Sequence, residues 1–127
     1  MKVFIGWDSR EDIAYQVCAD SLARHSSVGL EIYPIRQEVM KGKGIYWREH
    51  DPLSSTEFSF TRFLTPYLAG YEVWAVFMDC DFLWRGDVAG IMDYVDPKYS
   101  VMCVQHRYKP NEETKMDGAV QHHLVLS

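Results

Sequence analysis

Apolar and polar positions alternate along the chain in blocks that read as strands and helices in turn. Val3 to Gly6 is a short apolar run and predicts a first strand. Ser9 opens a helix, with Asp12 three positions later as a capping box. Ile13, Ala14, Val17, Cys18 and Leu22 follow the i, i+3, i+4 rule and predict one buried helix face. Ser26, Ser27 and Gly29 end that helix. Leu30 to Ile35 alternates apolar with polar residues and predicts a second strand. Strands joined through a helix normally lie parallel, so the first 35 residues read as a βαβ unit.

Gln37 to Pro52 reads as a long loop containing KGKG and IYWREHD. Ser54 and Glu57 form a second capping box, followed by a helix with Phe60, Phe63, Leu64 and Tyr67 on one face. Pro66 kinks or restarts that helix. Val73 to Met78 (VWAVFM) is continuously apolar, the pattern of a central strand covered on both faces. A short helix is expected over Asp87 to Tyr94 and another strand over Tyr99 to Val104; from Gln105 onward the chain is polar and irregular. The expected fold class is α/β, a mostly parallel sheet flanked by helices. No linker or repeat divides the 127 residues, so one domain is expected.

Charge narrows the function classes. Thirteen basic and 18 acidic residues give a net charge of −5, which argues against a general nucleic-acid binder. No apolar run approaches the roughly 20 residues of a membrane span, so no transmembrane segment is expected. The start, MKVFIGWDSRED, reads as a first strand and not as a secretory signal. The 3 cysteines, Cys18, Cys80 and Cys103, are odd in number and scattered, which fits reduced thiols and a cytoplasmic location.

The strongest chemical signal is Asp79-Cys80-Asp81, directly after VWAVFM. In open α/β sheets, ligands bind beyond the carboxyl ends of the strands. Two carboxylates two residues apart on an extended chain can face one side, where their like charges repel. A hard divalent cation, Mg²⁺ or Mn²⁺, relieves that repulsion and can bind a diphosphate. The plain alternative is a polar turn at a strand end.

The stretch DPLSSTEFSFTRFLTPYLAGYEVWAVFMDCDFLW resembles nucleotide-sugar glycosyltransferases of the GT-A fold, close to family eight. In that group an aromatic-rich helix with a basic residue precedes a hydrophobic strand that ends in a DxD metal motif. The start, VFIGWDSRED, also resembles the family's first strand and donor-binding turn. The resemblance covers most of residues 1 to 106. It implies a metal-dependent transferase that moves a sugar from a nucleoside-diphosphate sugar, with uridine as the base, to an acceptor hydroxyl. It implies that Asp79 and Asp81 bind Mn²⁺ or Mg²⁺, with Asp81 the closer ligand and Asp79 also reaching the donor ribose or sugar. Gly6, Trp7 and Asp8 match the turn that holds the nucleoside, and Arg62 matches the helix residue that faces the donor.

Read from the residues alone, each position has a second role. Gly6 can relieve packing at a strand end, Trp7 can be a half-buried core residue, and Asp8 can cap the first helix. Arg62 lies about 200° around a helix from Phe60, off the apolar stripe, where an arginine is ordinarily solvated. His106, His122 and His123 are candidates for a third metal ligand, but the family's downstream histidine motif is not found. The chain is also much shorter than a usual GT-A catalytic domain, so it reads as incomplete at its C-terminus. The competing functions are a truncated nucleotide-binding module without turnover and a phosphatase of the haloacid-dehalogenase type. In the phosphatase, the first Asp of the motif is a nucleophile.

Overall fold

The computed structural model describes residues 1–105 and residue 107. The chain divides into two compact units, Met1–Tyr94 and Val95–Ser127.

The first unit is built on a three-stranded, wholly parallel sheet with helices beside it. Its strands are β1 (Lys2–Gly6), β2 (Glu31–Ile35) and β3 (Ala75–Met78), in the order β2-β1-β3. The central strand is therefore β1, and not the VWAVFM strand as the unbroken apolar run suggested. Val3, Phe4, Ile5 and Gly6 are all buried, whereas only Met78 is buried in β3. Pro34 is tolerated in β2 because that strand lies at an edge.

Successive side chains of β1 point to opposite faces and seed two cores. Val3 and Ile5 pack with Cys18, Leu22, Phe58, Met78, Cys80 and Val88. Phe4 packs with Ile35, Met40, Tyr46 and Ala69. Helix α1 (Asp12–His25) contributes to the first core; α2 (Gln37–Gly42) and α3 (Thr65–Leu68) contribute to the second.

The buried stripe of α1 is narrower than its apolar pattern. Cys18, Ser21 and Leu22 are buried, but Ile13 is 75% exposed and Val17 48%. At 100° per residue these two stand about 140° and 100° from Cys18, beyond the reach of a three-stranded sheet. Buried Ser21 is satisfied on both sides: its Oγ donates to the Cys18 carbonyl and accepts from the Trp84 amide. Neither expected capping box forms. The N-cap of α1 is Glu11, with no side-chain cap bond. Ser54 Oγ donates back to the Asp51 carbonyl at 2.7 Å, and residues 55–60 are bends and turns. A 3₁₀ turn over Thr61–Leu64 leads into α3, which Pro66 restarts as expected. Phe63 and Tyr67 are exposed, so only Phe60 and Leu64 of that expected apolar face pack inward. The expected loop over 37–52 begins with helix α2, too short to show a helical period in the sequence. The expected helix near residue 90 is a 3₁₀ turn over Val88–Tyr94.

In the second unit the expected strand over residues 99–104 does not form. Tyr99, Val101, Met102 and Val104 are exposed, and an apolar run makes no ladder without a partner strand. His106, His122 and His123 lie outside the described residues. Among the described residues no helix is long and apolar enough to cross a membrane.

Candidate functional site

Parallel pairing of β1 with β3 sets Ile5 against Met78, so the turn beginning at Gly6 and the carboxylates beginning at Asp79 leave the sheet at the same carboxyl edge. That edge is where parallel sheets receive ligands.

Gly6 is required there by packing. A Cβ at this position would lie 2.5 Å from Cγ and Cδ2 of Phe58, a ring that is only 2% exposed. Trp7 is half-buried. Its amide donates to the Ile35 carbonyl, its Nε1 donates to Asp12 Oδ1 at 2.8 Å, and the Arg36 guanidinium sits 4.4 Å from its ring centre.

Asp8 is fully buried. Its Oδ1 accepts from the amide and Nε of Arg10, and its Oδ2 from Nη2 of Arg10 and the Glu57 amide, all within 3.1 Å. Those four donors match the lone-pair capacity of a carboxylate. Burial alone would raise its pKa, but the bonds from Arg10 and Glu57 and the Arg10 charge outweigh that and hold the carboxyl below its ordinary value. The carboxylate therefore faces groups of the protein itself, Arg10 in its own loop and the Glu57 amide across from it, and its role in this arrangement is to shape the turn.

Ser9 and Glu57, each part of an expected capping box, pair with each other instead and complete the turn. Ser9 donates from its amide to Glu57 Oε2 at 2.9 Å and from its hydroxyl to Glu57 Oε1 at 2.6 Å. Arg10 Nη2 also donates to the Ser55 carbonyl. Ser-x-x-Asp and Ser-x-x-Glu look like capping boxes in sequence, which hides a pairing between residues 48 apart.

Arg62 lies on the same side of the molecule as the DxD. Its Nη1 is 3.4 Å from Asp79 Oδ1, and its guanidinium is 5.4 Å from the ring centres of both Phe58 and Phe77. Its Nε donates to the Phe58 carbonyl. It is thus a held arginine with one-third of its side chain exposed, not a freely solvated one. Strand β3 ends at Met78, and Cys80 and Asp81 form a turn, so strand alternation does not set the directions of the two carboxylates. Cys80 is buried between half-exposed Asp79 and exposed Asp81. Burial raises the pKa of Asp79; Arg62 opposes this and the charge of Asp81 adds to it. Burial also pushes the Cys80 thiol up to about 12, helped by its bond to Glu11, and Cys18 to about 11. Both are packing thiols and not thiolate nucleophiles.

Hard carboxylate oxygens whose charges oppose each other suit Mg²⁺ or Mn²⁺, and Asp79 and Asp81 would hold it. Among the described residues no cluster of three or more His, Cys, Asp or Glu side chains is assembled. A shallow, mostly apolar cavity of about 270 Å³ borders Asp81 and is lined also by Ile13, Val17 and Phe82. A larger one of about 410 Å³ lies farther along α1, beside Arg24, Trp84 and Arg85, away from the Gly6 turn.

The chain is 57% identical over 120 residues to Protein CDI of Arabidopsis thaliana, covering 94% of this chain and 46% of that protein. It therefore spans slightly under half the length of that relative. No family model matches the chain, and no solved structure matches it.

Proposed function

We propose that the chain forms the donor-binding part of a GT-A-like, metal-dependent glycosyltransferase that uses a nucleoside-diphosphate sugar with uridine as the base. The observation that carries this reading is the common carboxyl edge. The Gly6–Asp8 turn follows β1, Asp79 and Asp81 follow β3, and the two strands are adjacent and parallel. A nucleoside against the turn would direct its diphosphate along the edge toward the carboxylates. The cation held by Asp79 and Asp81 supplies Lewis acidity to the departing diphosphate when bound. Arg62, steered by Phe58, Phe77 and Asp79, adds a fixed positive charge on the same path. The edge of Trp7 is tied to Asp12 and one face is covered by Arg36, which keeps the turn in one shape for the base. Isothermal calorimetry with UDP tests the reading. Binding is expected with Mn²⁺ and lost with EDTA; equal affinity in both conditions refutes it.

A further inference from the structure

We infer that Glu57 is a positioning residue that latches the Gly6–Arg10 turn to the segment carrying Arg62, and so sets the turn for nucleotide. The inference rests on the donor-binding reading above. Asp8 and Glu57 hold the turn in complementary ways. Asp8 is buried and binds backbone and side chain of Arg10 in its own loop together with the Glu57 amide, which makes it part of the folded core of the turn. Glu57 works at the solvent boundary: its two oxygens take the amide and the hydroxyl of Ser9, while its own amide returns a bond to Asp8.

This exchange spans 48 residues of sequence and is reinforced by Arg10 on the Ser55 carbonyl. The next residue, Phe58, fills the space that a side chain at Gly6 would need, and its carbonyl receives Arg62 Nε. Arg62 then reaches Asp79. Residues 57 and 58 thus connect the turn after β1 to the arginine beside the DxD, and Glu57 is the ionic half of that connection.

Because Ser9 is exposed, water can take over the bonds that Glu57 makes to it, so their loss is expected to cost little global stability. Glu57 fixes geometry all the same, as its two carboxylate oxygens hold the amide and the hydroxyl of one residue at 2.9 and 2.6 Å. A residue that only supports the fold would lower stability first; a positioning residue lowers affinity first.

The full chain is compared as wild type, Glu57→Ala and Glu57→Gln, by calorimetry with UDP and Mn²⁺ and by thermal melts. Glu57→Ala is expected to weaken binding by about 10–100-fold, by analogy with groups that orient metal ligands from behind. Its melting temperature is expected to stay within about 3 °C of wild type. Glu57→Gln, whose amide oxygen still accepts from Ser9, is expected to recover part of the affinity. An unchanged dissociation constant in Glu57→Ala overturns the positioning role and leaves the donor-binding reading standing. Loss of binding together with a collapsed melting temperature, and no rescue by Gln, overturns it in favour of a structural role. No UDP binding by the wild type overturns the donor-binding reading, and this inference with it.

Discussion

Replacing Gly6 by alanine isolates the contact on which the turn is built. The added Cβ would sit 2.5 Å from two Phe58 ring atoms and 2.9 Å from a third, Cε2, where an unstrained carbon contact needs about 3.5–4.0 Å. The ring has nowhere easy to go. It is 2% exposed, packs tilted against Phe77 at 6.4 Å and lies under the Arg62 guanidinium. Gly6 has no positive φ, so the backbone accepts alanine and the unfolded chain loses some freedom, a gain of about 0.4–1 kcal/mol. Overpacking costs about 1–3 kcal/mol. The net expectation is a loss of about 1–2 kcal/mol, read as a fall in urea midpoint on the order of 1 M at the usual denaturant dependence. In a Phe58→Leu background the smaller side chain leaves room, and the same alanine is expected to cost at least about 1 kcal/mol less. Urea unfolding of the four proteins, followed by tryptophan fluorescence, measures the cycle. A Gly6→Ala protein as stable as wild type, or an equal cost in both backgrounds, would refute the packing argument.

Asp8→Asn is expected to destabilise the protein by roughly 2–4 kcal/mol at pH 7, because it puts an amide donor among donors around a buried site. Asp8 has a folded pKa below its ordinary value of 3.8, so its contribution is present above that pH and fades as pH falls through the folded value. The gap between the melts of mutant and wild type should therefore narrow progressively as pH is lowered below 3.8, and a gap that does not narrow at all contradicts the ionic account. Asp81→Asn is expected to abolish the melting-temperature rise produced by Mn²⁺, while the metal-free protein stays as stable as wild type or gains slightly. Asp81 makes ionisation of Asp79 harder, so removing its charge relieves repulsion; a rise that survives in the mutant refutes a metal role for Asp81.

Strands β1 and β3 were legible as dense apolar runs and β2 as an alternating one, and β1 through β2 reads correctly as parallel strands around a helix. Strand order was less accessible: VWAVFM is the more apolar segment, yet the sheet forms around VFIG, which pairs on both sides. The outward turn of Ile13 and Val17 follows from how little sheet there is for α1 to cover, which helical period alone does not reveal. Of the candidate residues that the resemblance implied, Asp79 and Arg62 lie 3.4 Å apart. Ser9 and Glu57 were hidden for a different reason: a serine followed three positions later by a carboxylate is a good local cap, and a long-range pairing won. Asp8 did act on the backbone near the helix start, but through an Asx-type bond to the amide two residues on and not as the helix cap.

Net charge and local charge point in opposite directions in this chain, and the arrangement of its arginines resolves the conflict. A charge of −5 disfavours an anionic ligand at long range. Close to the carboxyl edge, however, three arginines are held in fixed positions by groups of the protein: Arg10 by Asp8, Arg36 by the Trp7 ring and Arg62 by Asp79 with two phenylalanines. Of these, Arg10 is consumed in shaping the turn, and its bonds run to Asp8 and Ser55. Arg62 differs because its ion pair is longer, 3.4 Å against 2.9 Å for Arg10 with Asp8, and because Asp79 is only half buried. A cation shared between Asp79 and Asp81 would compete with Arg62 for Asp79 and free that guanidinium for a phosphate. Metal and arginine would then act in series on one anion, and a protein with an excess of acid groups could bind a diphosphate only when the metal is present.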